Sequence, residues 1–474
     1  MKTYQDYEKA KEQGQSQMID FIRQAINDYK ASDMYKTALE ADEYEAERNV
    51  SILRWTKYLY TMQGQKVPDY TAGNNRIASN FFHRLTTQRV AYSLGNGISF
   101  SNASKETIGT DNVVVDKTKE ALGKDFDTIM YKAGKFARQH ACSYLFWNVD
   151  HIVLFKATEF VPLYDEDDGK LKAGFRFWSL DWEKRPVIVV VYDLDGFEKY
   201  RTKKDSKGLD IELIEEKRGY KQTIAHNEVD PDEVVGESNY GSFPIFPLWG
   251  NSHHQSDLVG MKSKIDSYDL VKSGFANDLE ECAEIYWIIG NALGETDESL
   301  AKFRDRMKLN HIVSADTMNS TVTPYTQEIP VNARNTLLES LRNQIYEDYG
   351  ALDVHTVAAG ATNDHIDAAY QPMDDEADDF EYQIIECIRA ILNLLGIDDM
   401  PLFNRNRISN QKERTEMVML AANYLDDETI LKKLPFITSD EVDKILIRKD
   451  AMDQGAFEVE EEEEKEEVKT VEEV

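Results

Sequence analysis

DLVGMKSKIDSYDLVKSGFANDLEECAEIYWIIGN, residues 257–291, decides how this chain is read. It predicts one helix of about thirty residues, roughly 50 Å long at 1.5 Å per residue. Spacings of four and three put Met261, Ile265, Tyr268, Lys272, Phe275, Leu279, Cys282, Tyr286 and Ile289 on one stripe. The other faces carry Asp266, Asp269, Asp278, Glu280, Glu281 and Glu284. A stripe of period 3.5 calls for neighbouring helices at shallow angles. A helix this long and this acidic therefore needs a partner.

The chain has 474 residues, a length that points to about three domains. With 41% hydrophobic residues, 24 Tyr and 20 Phe it has material for large cores. Its 55 basic and 87 acidic residues give a net charge of -32, the wrong sign for gripping nucleic acid by neutralising phosphates. The tail from Phe457 holds ten Glu and two Lys, so it contributes -8 and reads as a solvated, disordered run. The other -24 lies on sequence that should fold. Cys142, Cys282 and Cys387 are isolated, which supports neither a disulfide framework nor a zinc site. The N-terminal residues lack an apolar targeting region, and the longest apolar runs, such as VIVVV at Val187, are too short to span a bilayer. The expectation is a cytosolic, reducing environment and no membrane.

The first 150 residues read mainly as helices. Met18, Phe21, Ile22, Ala25, Ile26 and Tyr29 form a helical stripe, residues 76–100 a helix ending at Gly95, and residues 115–140 a further helix. From about Cys142 to Gly250 the period becomes two. Asp168-Gly169 and Asp195-Gly196, flanked by alternating apolar residues, are hairpin signals. Pro244 and Pro247 suit an edge strand or an extended exit. After the opening helix comes a mixed insert with a short helix near residues 299–309 and strand-like HIVSA and TVTPYTQEI. Residues 332–350 return as helix, with Leu338, Leu341 and Ile345 on one face. Residues 352–365 read as a loop. A long helix follows over 366–395, with a kink expected at Pro372. The remainder to Asp450 reads as helical, with Asp426 and Ser439 as N-caps.

Catalytic and ligand-binding patterns are scarce. No phosphate-cradling glycine loop occurs, and Gly95-Asn96-Gly97 suits a helix C-terminus. The vicinal His253 and His254 lack the i, i+4 spacing that puts two imidazoles on one metal. The acidic stretches at Tyr164 and Tyr192 sit in hairpin turns rather than between helices, as a calcium loop would need. Glu215 and Lys217 form an ExK as in metal-dependent nucleases, but Asp210 is too near along the same strand to converge on one ion. No catalytic residue, metal ligand or cofactor site is assigned. This pattern favours a structural or interaction protein over an enzyme.

Four strings in order resemble the portal proteins of tailed bacteriophages, closest to the head-to-tail connectors of siphophages of Gram-positive hosts. They are NNRIASNFFHRLTTQRVAYSLGNGISF, the block from FPIFPLWGN through the opening helix, IYEDYGALDV with GATNDH, and LFNRNRISNQKERTEM. The resemblance runs from about Tyr35 to Lys449. It departs from the family after the loop, where Thr362-Asn363-Asp364-His365-Ile366 replaces the usual small-residue and aliphatic-Lys stretch.

The resemblance implies a mainly α, α+β subunit in a ring, usually a dodecamer, around a central channel. Its wing would comprise residues 1–256 and 366–410, its stem helices 257–290 and 332–351, and its clip 291–331. A tunnel loop would span 352–365, a crown 411–455, and the acidic tail 456–474. Such a ring sits at one capsid vertex of the virion after assembly in the host cytoplasm. It would meet the terminase large subunit, a head-completion adaptor, and the major capsid and scaffolding proteins, and pass double-stranded DNA with weak, non-specific contact. The expected subunit interface is Met261, Ile265, Lys272, Phe275, Leu279, Tyr286, Leu338, Leu341 and Ile345. Expected loop positions near DNA are His355, Val357, Gly360, Thr362 and Asn363, and expected clip contacts are Arg304, Arg306 and Lys308. The stem carboxylates read as channel wall, since a repulsive wall lets DNA slide. The alternatives are an acidic scaffold or interaction protein and, more remotely, a metal-dependent nuclease.

Overall fold

Alternation of side chains along the strands builds most of the β structure. The computed structural model describes residues 2–60, 64–69, 73–101, 105–108, 113–179, 186–203, 209–225, 233–282, 286–290, 321–325, 329–353, 363–407 and 411–434, with positions 437, 442, 445, 446 and 449. Its helices are α1 (Tyr4–Glu12), α2 (Gln15–Ala31), α3 (Asp33–Glu45), α4 (Val50–Leu53), α5 (Phe81–Leu94), α6 (Lys117–Leu122), α7 (Phe126–His140), α8 (Asp257–Cys282), α9 (Val331–Tyr349), α10 (Asn363–Leu395), α11 (Gln411–Ala421) and α12 (Asp427–Lys433). Early strands are β1 (Tyr58–Tyr60), β2 (Lys66–Pro68), β3 (Ile98–Phe100), β4 (Lys105–Ile108) and β5 (Val113–Asp116). The hairpin region supplies β6 (Cys142–Asn148), β7 (His151–Lys156), β8 (Phe160–Tyr164), β9 (Leu171–Ser179), β10 (Val187–Asp193), β11 (Gly196–Thr202), β12 (Ile211–Arg218), β13 (Lys221–Ala225), β14 (Glu233–Ser238) and β15 (Ile245–Trp249). Later strands are β16 (Tyr286–Gly290), β17 (Thr321–Tyr325) and β18 (Pro401–Phe403). The chain is thus mixed helix and strand, divided into two compact units. One comprises Met1–Ala41, Leu85–Asp257 and Gly350–Val474, the other Asp42–Arg84 and Leu258–Tyr349.

In the first unit a five-stranded antiparallel sheet runs β12-β11-β10-β9-β8. The turn at Gly169 and the tight Asp193↔Gly196 turn both use positive-φ glycines, as the Asp-Gly signals predict. The VIVVV run is apolar throughout because both faces of β10 are buried. Val189 and Val191 pack under α2 with Phe21, Ile22 and Ile26, whereas Val190 and Tyr192 face Phe146, Phe155 and Phe160. Every member of the α2 stripe, Met18 through Tyr29, is buried there. A three-stranded sheet, β15-β6-β7, puts Pro247 on the edge strand opposite Tyr144, where a missing N–H breaks no ladder.

A second core joins Met130, Ala133 and Ala137 of α7 to Phe380, Ile384, Ile388 and Ile391 of α10. Each such large apolar side chain stabilises the unit by about 1.5–3 kcal/mol on burial. The helix expected over residues 115–140 is two helices after a strand. Val113–Asp116 pairs with β4, Asp116 caps α6, and Gly123 at φ +98° breaks the chain before α7. α10 begins at Asn363, three residues earlier than expected, and runs on through Pro372. Asp426 caps α12 by accepting the Thr429 N–H at 3.0 Å.

Candidate functional site

The second unit holds the helices on which the sequence reading turned. α8 ends at Cys282, so the single helix expected to Gly290 is not formed. Tyr286, with the aromatic and β-branched residues after it, forms β16 and pairs with β17, Tyr286 opposite Tyr325 and Ile289 opposite Val322. Tyr286 is therefore no member of the helical stripe. Met261 and Ile265 are buried within the chain itself. Beyond them the buried face turns polar and steps by four: Asp269, Ser273 and Asn277.

These three residues receive an extended segment antiparallel to α8. The Ser79 N–H donates to Asp269 Oδ1 at 3.0 Å, the Ile77 N–H to Ser273 Oγ at 2.9 Å, and the Asn75 N–H to Asn277 Oδ1 at 2.6 Å. Asn49 donates its side-chain amide to the other Asp269 oxygen. Four residues of helix and two of extended chain advance by similar distances, about 6.0 and 6.6 Å, so alternate backbone N–H groups meet successive turns. Burial pushes the Asp269 carboxyl above its ordinary pKa despite these bonds. Asp266 bonds Tyr44 and Ser51, and Asp278 pairs with Arg334. Asp269, fully buried, is thus an internal strut and not the channel-wall carboxylate expected.

Toward α9, Lys264 and Asp348 form an ion pair at 2.6 Å, Phe275 lies under the Arg334 guanidinium, and Phe81 stacks edgewise on Tyr268 and Tyr346. Lys272 is half-buried, 5.7 Å from the Tyr268 ring. Of the other expected interface residues, Ile345 is buried, Leu338, Leu341 and Phe275 are half-buried, and Leu279 is 53% exposed. Segment Asp42–Arg84, expected in the wing, belongs to this unit.

In the first unit the acidic face of α10 meets arginines on two flanks. Arg405 bonds Asp374 at 2.9 Å, Glu381 at 2.9 Å and Asp378, and Arg407 bonds Asp374 and the Tyr92 hydroxyl. Burial opposes charge on Asp374, yet the bonds from Tyr92 and Arg407 outweigh it and hold the carboxyl below its usual value. On the other flank buried Arg89 pairs with Glu376, and buried Arg138 pairs with Asp257 at 2.7 Å. Arg138 also donates to the Gly250 carbonyl. Arg138 thus ties together Gly250 and Asp257 within the first unit. Sequence reading missed Arg89 and Arg138 because their acidic partners lie 287 and 119 residues away.

The acidic turns are paired with lysines. Asp165 binds Lys172, which holds its carboxyl down at about 2, and Asp193 accepts from Tyr7, Lys11 and Lys217. Glu215 of the ExK pairs with Lys199 across β11–β12 at 3.1 Å. His254 stacks on Trp249 with ring centroids 3.9 Å apart. Among the described residues no three His, Cys, Asp or Glu are placed to share a metal, and no helix is long and apolar enough to cross a membrane. His355, Val357, Gly360, Thr362, Arg304, Arg306 and Lys308 lie outside the described residues, as do Ser439 and the short helix expected near 299–309. Asn363 opens α10.

Among the described residues, the charged groups named here hold helices and hairpins in place. The family model "Phage portal protein, SPP1 Gp6-like" matches residues 9–465, and the chain belongs to that family. It is 22% identical over 439 residues to the portal protein of Clostridium phage phiCD119, covering 85% of this chain and 93% of the relative. To the portal protein of Bacillus phage SPP1 it is 22% identical over 433 residues, covering 84% and 80%. A solved structure titled "Neck of empty GTA particle computed with C6 symmetry" aligns with a TM-score of 0.42 at 9% identity, covering 74% of this chain and 89% of that one. The protein has the phage portal function and is a virion component of the capsid vertex.

Proposed function

We propose that the chain assembles into a closed ring, with twelve copies the expected number, whose bore passes double-stranded DNA into the head and out again. The observation that carries this reading is the portal-family match across residues 9–465. Exposed apolar residues on α8 and α9, among them Leu270, Leu279 and Leu337, support it, since a neighbouring copy is the natural cover for such side chains. The wing is assigned to the first unit up to about residue 256 and to residues 366–410. The stem is α8 and α9, the clip lies between them with Arg304, Arg306 and Lys308 as partner contacts, and the crown is 411–455. Residues 352–365, with His355, Val357, Gly360, Thr362 and Asn363, are the segment assigned nearest DNA. The partners are the terminase large subunit, the adaptor of the finished head, and the capsid and scaffolding proteins. Chemistry on DNA is not part of the role. Negative-stain microscopy of the purified chain at micromolar concentration tests the ring. Annular particles with a central hole are expected, and their absence overturns the assignment.

A further inference from the structure

Charge along this chain is distributed unevenly. From Arg48 to Lys105 the sequence holds eight Lys or Arg and a single acid, Asp69. This is a surplus of seven positive charges in a chain of net -32, so the rest carries -39; Arg89 is buried against Glu376 and Arg48 pairs with Glu43, which leaves Arg54 and Lys66 among the exposed cations of the stretch. Copies that acidic repel one another, and a ring of them needs a complementary face on each copy. Within the second unit the basic stretch exposes Arg54 and Lys66, while the Lys66 ammonium lies 4.0 Å from the Tyr58 ring centroid.

The β1–β2 hairpin fixes this arrangement. Its register sets Tyr58 opposite Pro68 and Tyr60 opposite Lys66, so Tyr58 and Lys66 share a face. Trp55 and Tyr58, close to Arg54 and Lys66 along the chain and across the hairpin, are 37% and 44% exposed. Trp, Tyr and Arg together are the composition of a protein-interface centre. Duplex DNA presents phosphates to the cations but keeps its bases stacked, so it has nothing to cover the apolar rings.

We propose that the surface formed by Arg54, Trp55, Tyr58 and Lys66 docks on the acidic surface of a second copy of this chain. It is one side of a heterologous contact, and the inference rests on the ring reading above. Reversing two charges on exposed positions tests it in the full-length chain. Arg54→Glu/Lys66→Glu is expected to lower the ring fraction at least tenfold by analytical ultracentrifugation at ~100 mM salt, with unchanged thermal unfolding of the free chain. Trp55→Ala is expected to weaken rings at both low and high salt. Zero-length carbodiimide coupling in rings mixed from light and heavy-isotope copies should join Lys66 to a carboxylate of the other copy. Intact rings in the double variant overturn the surface and leave the ring standing. Intact rings with reduced DNA retention overturn it in favour of a DNA contact. A wild-type chain that forms no rings overturns both readings.

Discussion

Asp269 has no exposed surface, yet it receives donors from Asn49 and Ser79. Replacing it by Asn removes one of its two acceptors and should cost about 1–2 kcal/mol. Hydrogen exchange at the Ile77 and Ser79 amides reads this as lost protection. Because burial raises its pKa, the folded unit holds the Asp269 proton more tightly than the unfolded chain does. Its contribution therefore favours folding below the ordinary carboxylate pKa and is lost as pH rises through the elevated value. Asp269→Asn should flatten that part of the stability profile, and an unchanged profile would assign the pH dependence elsewhere. Arg138 makes a sharper case. Its side chain and that of Asp257 are both nearly inaccessible. Arg138→Met removes the charged partner of the Asp257 carboxylate and should cost about 3 kcal/mol in urea denaturation, with Arg138→Met/Asp257→Asn recovering part of it.

At the scale of elements, the sequence was most readable where one period governs a whole face. The α2 stripe, the two Asp-Gly hairpins and the Pro247 edge strand all follow from local pattern. α8 was readable only in its first half. Its apolar stripe is buried at Met261 and Ile265, after which a polar set four residues apart takes the inner face. Hydrophobic spacing carries no signal for such a face. A repeat of short polar residues at 269, 273 and 277, read against the acid-free segment before residue 80, was the available clue. The helix end at Cys282 was missed because YWIIG satisfies an apolar stripe and a strand equally over five residues. Pro372 lies in the interior of α10, where it removes one backbone donor. Pro372→Ala restores a bond to the Ala368 carbonyl and should raise unfolding stability by about 1–3 kcal/mol. A decrease would mean that Pro372 fits a bend on which its neighbours depend.

For the whole molecule, charge is the property visible in sequence that bears most directly on the role. A bore of net negative charge, as the proposed ring would have, would leave duplex DNA few footholds, since each phosphate neutralised adds a counterion-release contribution to binding. Anisotropy titration of the purified protein with a random duplex at ~150 mM salt should give dissociation constants above about 1 μM. Nanomolar affinity would refute a wall along which DNA slides. The two compact units and the long-range arginine pairs were not legible in advance. They depend on contacts between residues more than a hundred positions apart, for which one sequence offers no periodic trace.

The strap that residues 75–79 lay along α8 also behaves as a vernier. Extended chain gains about 0.6 Å on the helix at every rung, so three rungs drift by little more than 1 Å. From the third rung itself a side chain reaches further, the Asn75 amide donating to Glu280 at 2.8 Å. The mismatch of two backbone repeats thus measures off how much chain can be fastened to the helix.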